Sequence, residues 1–180
     1  MRISDIQTLY QDAIKFTAGR HSNQKVPGTD LPYVVHLSNV AMEIFVAAIH
    51  TGSFNLSLAV QVALLHDTLE DTETTFDELS DRFGQDVADS VLALTKNHEL
   101  PKEKQMEESL ERIRKQPKEI WAVKMADRIT NLQPPPKHWN KEKRKNYQGE
   151  ARIIHENLKD GNRYLADRLM MKINDYENYI

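Results

Sequence analysis

The sequence contains no cysteine. Disulfides, a thiolate nucleophile, a zinc finger and an iron–sulfur cluster are thereby excluded, and a chain free of cysteine fits the reducing cytoplasm, the expected location. Glycine is scarce, 6 in 180 residues, and neither GxGxxG nor GxxxxGK[ST] occurs, so a glycine-rich phosphate loop has little to be made from. There is no basic excess: the formal net charge is -3, which argues against a nucleic-acid partner. Long apolar runs are also missing. The longest near the front, from Ile44 to Ile49, falls far short of the roughly 20 residues that span a bilayer. The first residues, Met1 to Gln7, are mixed and polar, with no apolar stretch of a secretory leader. No membrane segment is expected.

What remains is an ordinary composition for a folded chain, 39% hydrophobic and 28% charged. The length predicts a single domain over residues 1–180 that can bury a core without staples. Most stretches between breaks repeat at helical period. Ser4 can cap a first helix with Ile6, Leu9, Ala13, Phe16 and Thr17 on one face, ending near His21-Ser22-Asn23. Gln24 to Pro32 is a loop. Helices are predicted from Tyr33 to His50 and, very apolar, from Leu56 to Asp71. The capping box Thr75-Phe76-Asp77-Glu78 opens a short helix closed by Gly84. Further helices follow over Asp86 to Lys96, Lys102 to Gln116, Lys118 to Leu132, Lys141 to Leu158 and Arg163 to about Tyr179, with Pro134-Pro135-Pro136 as an interruption. No strand alternation is present, and the expected fold class is all-α.

Chemistry is sought where polar residues interrupt apolar helical faces. Leu64-Leu65-His66-Asp67-Thr68-Leu69-Glu70-Asp71 puts four ionisable groups at the end of the most apolar helix. Helical spacing pairs His66 with Glu70 and Asp67 with Asp71. Unpaired carboxylates are costly to bury, so the cluster calls for a cation or a basic neighbour. The plain alternative is a helix end running into solvent. His36 lies one turn into an apolar helix, and Asp127 interrupts Ile120 to Ile129, with Lys124 and Asn131 one turn to either side. Alone, His36 reads as a satisfied core histidine and Asp127 as the partner of a nearby base. Together these positions offer two imidazoles and two carboxylates, a set suited to a divalent ion: manganese or iron first, then magnesium or zinc.

In order along the chain, His36, His66-Asp67 and Asp127 resemble the H…HD…D signature of the HD metal-dependent phosphohydrolase superfamily. The surrounding residues narrow the resemblance to the RelA/SpoT-type alarmone hydrolases. His66 to Thr72 resembles their HDxxEDT, His21 to Gln24 their HxxQ, and Pro32 to His36 their PYxxH. Phe83-Gly84 and Val91 to Thr95 resemble their FG and VxxxT stretch, and Val123 to Leu132 their VKLADxxxNL. Leu100-Pro101-Lys102 and the length bring the chain nearest the small, Mesh1-like group.

The resemblance implies a manganese-dependent enzyme that removes the 3′-pyrophosphate from guanosine alarmones such as ppGpp, a small-molecule nucleotide substrate. It implies His36, His66, Asp67 and Asp127 as metal ligands, and Glu70 and Asp71 as the acids that handle the attacking water. Tyr33, Lys102, Asn131 and Tyr147 fall on substrate-contacting positions, and Lys25 is expected to join them as a substrate contact. In the loop after HxxQ the family usually carries an Arg-Lys pair whose Arg packs against guanine; here only Lys25 is basic, so adenosine alarmones enter as candidate substrates. Two other classes remain open. One is another HD-type hydrolase acting on a nucleoside monophosphate, a deoxynucleotide or NADPH. The other is a non-catalytic nucleotide-binding module, against which the intact ligand set argues.

Overall fold

The computed structural model describes residues 3–180, with side chains from Asp5 onward. The capping role expected of Ser4 concerns a side chain outside the described residues. Among the described residues there is no strand, only an isolated bridge between Lys25 and Pro32 within the first loop. The all-α expectation agrees with this architecture.

At the centre lies α3 (Leu56–Leu65), buried continuously from Ala59 to Leu65. It is packed by α1 (Ile3–Arg20), α2 (Val34–Ile49), α6 (Gln85–Leu94) and α8 (Lys118–Asn131). Neighbours on so many sides explain why its sequence is apolar all round. Asn55 opens α3, its side-chain oxygen accepting from the Leu58 amide at 3.2 Å. The amphipathic α5 (Phe76–Phe83) leads into α6 through Gly84, whose φ of 92° suits a residue without a Cβ. The charged α7 (Lys102–Arg114) is not exposed all round as its composition suggests: Ser109, Leu110 and Ile113 are buried. Helices α9 (Lys141–Leu158) and α10 (Arg163–Asp175) close over α8, and a 3₁₀ turn from Tyr176 to Tyr179 ends the chain. Arg168 on α10 grips Glu43 on α2 through two nitrogens, at 2.6 and 2.7 Å.

The helix expected from Leu56 to Asp71 is interrupted. α3 ends at Leu65, and a single turn, α4 (Thr68–Asp71), follows. Side chains compete for the carbonyls there. Thr68 Oγ1 donates to the Leu65 carbonyl at 2.6 Å, and His66 Nδ1 sits 2.9 Å from the Ala63 carbonyl. A continuing helix would offer those carbonyls to amides four residues on. Asp67 takes φ -99°, ψ 0°, a sparsely used region. The turn beyond it is again helical, the Asp71 amide donating to the Asp67 carbonyl at 2.9 Å, so Asp67 and Asp71 stand one turn apart.

Candidate metal centre

Three segments deliver the central side chains. His36 projects from the first turn of α2, His66 and Asp67 from the break after α3, and Asp127 from α8. His36 Nε2 lies 3.5 Å from Asp127 Oδ1 and 3.8 Å from Asp67 Oδ2. His66 Nε2 lies 3.0 Å from Asp67 Oδ2 and 3.7 Å from Asp127 Oδ1. One ligand atom each from His36, His66 and Asp67 falls within 4.8 Å of the others.

Both imidazoles are aimed. Nδ1 of His66 is tied to the Ala63 carbonyl, and Nδ1 of His36 lies 3.2 Å from Thr130 Oγ1. That leaves each Nε2 facing the centre, buried and without a hydrogen-bond partner. A metal-ligating histidine is held in this way, one ring nitrogen anchored and the other presented. Two orphaned nitrogens beside two carboxylates are the donor set a divalent ion takes, so the residues fit such a group.

The carboxylates are kept ionised. Burial pushes the Asp67 carboxyl up, but the charge of His66 and the hydrogen bond from Tyr33 pull it below the usual range. Burial works on Asp127 in the same sense, and Lys124 with His36 and His66 hold it well below. His66 responds in the opposite direction: burial alone would lower its pKa, and the neighbouring Asp67 and Asp127 raise it well above the ordinary value. The centre therefore favours positive charge at its middle, the electrostatic complement of a bound cation.

A second ring of contacts holds these groups. Tyr33, expected beside the nucleotide, is buried, and its hydroxyl donates to Asp67 Oδ2 at 2.5 Å. Its burial and the Asp67 charge raise the Tyr33 pKa far above the normal phenol range, so the hydroxyl stays protonated. Asn131 donates to Asp127 Oδ1 at 2.6 Å, and Lys124 reaches Asp127 Oδ2 at 3.2 Å. Of the acid pair, Asp71 accepts from Gln24 Nε2 at 2.8 Å, while Gln24 Oε1 meets His21 Nδ1 at 2.5 Å. Glu70 turns to Lys96, whose Nζ lies 2.6 Å from Oε1.

A cavity of about 280 Å³ adjoins His36 and Asn131. Val26, Pro27 and Leu31 form one wall, and Pro134-Pro135-Pro136 another. Gly28 lets the two walls meet: a Cβ there would come within 3.3 Å of Pro136. The proline run thus shapes the rim of the site. Tyr147 lines the same cavity, edge-on to Trp139 at 5.1 Å and beneath the Arg128 guanidinium at 4.3 Å. Its burial pushes its hydroxyl pKa up to about 12, against the opposing pull of Arg128.

Two expected substrate contacts are not brought to this cavity. Lys25 is exposed and pairs with Asp30 at 2.6 Å, and Lys102 is exposed at the start of α7. Gln24, Lys96 and Arg128 were not singled out as site residues. Gln24 stood within HxxQ, but the contacts of Lys96 and Arg128 depend on tertiary approach that no local pattern shows.

The HD domain profile matches residues 13–164, a span that takes in every central side chain described above. The chain belongs to the HD domain family. Within it, the chain is 31% identical over 93% of its length to the Xenopus tropicalis guanosine-3′,5′-bis(diphosphate) 3′-pyrophosphohydrolase MESH1, covering 94% of that protein. The Danio rerio protein of the same name is also 31% identical, over 88% of each chain. Among solved structures, a metazoan ortholog of SpoT that hydrolyzes ppGpp and plays a role in starvation responses superposes with a TM-score of 0.82 at 26% identity, over 96% of this chain and 97% of that one. The HD domain fold expected from the sequence is thereby shown. Among the described residues no helix is long and apolar enough to cross a membrane.

Proposed function

We propose that this protein is a single-domain, divalent-metal-dependent hydrolase that removes the 3′-pyrophosphate from guanosine, and also adenosine, alarmones. The observation that carries the reading is the pair of buried, unpartnered Nε2 atoms of His36 and His66 facing Asp67 and Asp127. Relatives named as 3′-pyrophosphohydrolases, matched over nearly their whole length, support the reaction class.

His36, His66, Asp67 and Asp127 would hold the ion, with manganese the proposed metal. When bound, it supplies a Lewis acid that activates water and neutralises charge on the phosphoryl group. The chain's own residues do the rest. Thr130 and the Ala63 carbonyl orient the two imidazoles. Tyr33, Asn131 and Lys124 fix the two carboxylates. Asp71, anchored through one oxygen by the neutral Gln24 amide, keeps acceptor capacity for a proton of the attacking water. The water oxygen adds to the phosphorus next to the ribose and the bond to the 3′ oxygen breaks. That proton is returned to the departing oxygen. The products are a nucleoside with a free 3′-hydroxyl and pyrophosphate. Tyr147 and the apolar walls of the adjoining cavity receive the nucleoside, and Lys25 and Lys102 are proposed to reach the phosphates from their exposed positions. The substrate is a small molecule in this reading, with a cytoplasmic setting and no nucleic-acid partner.

The test is product analysis. Manganese-loaded protein incubated with ppGpp should release pyrophosphate and a guanosine 5′-diphosphate. Orthophosphate instead would point to another HD-type phosphatase activity.

A further inference from the structure

The acid pair is held by two different devices. Asp71 meets a neutral amide. Glu70 meets a cation and is gripped at both oxygens: Lys96 Nζ reaches Oε1 at 2.6 Å, and the Lys96 backbone amide donates to Oε2 at 3.1 Å. The Glu70 side chain is 14% exposed and that of Lys96 47%, so the ammonium caps the carboxylate from the solvent side. His98 Nε2 comes within 3.9 Å of Oε1 from the same loop.

We infer that Lys96 is a positioning residue for the hydrolytic reaction, clamping Glu70 at the edge of the metal centre so that the carboxylate serves as a fixed outer acceptor and not as a further metal ligand.

The segment carrying the clamp is itself pinned. Arg112 on α7 donates to the carbonyls of Leu92 at 2.6 Å and Thr95 at 2.7 Å, the last just before Lys96. Glu108 holds the same guanidinium at 2.6 and 2.9 Å. On the far side, Asn97 Oδ1 accepts from the Glu99 amide at 3.0 Å. A donor fixed at both ends loses little freedom when it engages its partner, which is what makes a positioned group effective. The need for restraint is electrostatic. Glu70 is an additional carboxylate beside Asp67, Asp71 and Asp127, and a free one could swing onto a divalent ion. Lys96 also responds to that cluster: burial alone would lower its pKa, but Glu70, with Asp67 and Asp127 farther off, raises it. The ammonium therefore stays charged.

This inference rests on the hydrolase reading, and its test separates the two. A double-mutant cycle compares wild type, Lys96→Met, Glu70→Gln and the pair. Lys96→Met should lower kcat on ppGpp about 10- to 100-fold, the usual loss when a group supporting a metal site is removed, with KM little changed. The double variant should be no slower than Glu70→Gln alone, because Lys96 acts through that carboxylate. A raised KM, or losses that multiply in the double variant, would mean that Lys96 touches substrate directly and would overturn the inference. Unchanged kcat in Lys96→Met would overturn it as well. Urea denaturation of the same four proteins reads the clamp without substrate: the midpoint shifts should be non-additive, and additive shifts would contradict it. If wild type hydrolyses no 3′-pyrophosphate, the functional reading has failed, while the denaturation cycle still decides the clamp.

Discussion

Nε2 of His36 on α2 faces Oδ1 of Asp127 on α8 at 3.5 Å, outside hydrogen-bond geometry and shielded from solvent. A buried imidazole nitrogen this close to a carboxylate, yet not bonded to it, leaves room for a shared third partner. From the other side His66 Nε2 faces the same carboxylate oxygen at 3.7 Å and Asp67 Oδ2 at 3.0 Å. Helix packing around α3 creates this meeting point, because α2 and α8 both pack against α3.

Removal of the metal should abolish activity. Dialysis against a chelator is expected to stop hydrolysis, and manganese is expected to restore it best among divalent ions. His66→Ala should lose bound metal with activity, since it removes one of the two presented nitrogens. Elemental analysis alongside turnover checks both. Full activity in metal-free protein would contradict the assignment.

The acid pair should affect turnover without emptying the site. Glu70→Gln and Asp71→Asn are each expected to lower kcat by about 10²-fold or more, the ordinary worth of a positioned acid or base. Metal content should stay near wild type, because Lys96 and Gln24 hold these side chains. Loss of metal in either variant would make that residue a ligand.

The site was legible in the sequence where polar residues broke an apolar helical face. His36, His66 and Asp127 each did so, and all three are buried at one point. The interruption at His66 was not legible, because hydrophobic period does not record the two side-chain bonds to carbonyls found there. Tyr33 was legible as a site residue, but its bond to Asp67 depends on how α2 packs. Lys96 gave no local signal at all: it stands in a polar break, and its partner Glu70 lies in another element. Lys25 shows another limit of local pattern: its charge was legible, but not the exposed pairing with Asp30, which depends on how the loop folds back.

Base selectivity should be modest. In the cavity beside Asn131, Val26, Pro27, Leu31 and the proline run can stack on either purine, and the neutral polar side chains Thr29, Asn39 and Gln133 can each donate or accept, so none of them demands one base. Discrimination by shape and stacking is worth about 1–3 kcal/mol, or 10–200-fold. Rates on the guanosine and adenosine 3′-pyrophosphates are therefore expected within about two orders of magnitude of each other. Side-by-side kinetics measure this, and a guanosine preference above about 10³-fold, beyond what stacking allows, would require a base contact not seen here.

Gly161 should resist substitution. A Cβ there would lie 2.6 Å from Trp121 Cβ and 3.1 Å from the Leu158 carbonyl, neither of which is the free end of a flexible side chain. Gly161→Ala is expected to destabilise the fold by about 1–3 kcal/mol through forced backbone movement. Urea denaturation followed by circular dichroism gives the value, and wild-type stability would mean that the junction between α9 and α10 is looser than its packing indicates.

The central claim is that this centre cleaves the phosphorus–oxygen bond at the ribose 3′ position. Chromatography of the products formed from ppGpp by manganese-loaded protein tests it most directly. The account predicts equal amounts of GDP and pyrophosphate, absent in the Asp127→Ala variant. Orthophosphate as the product, or no turnover by protein shown to carry its metal, would contradict it.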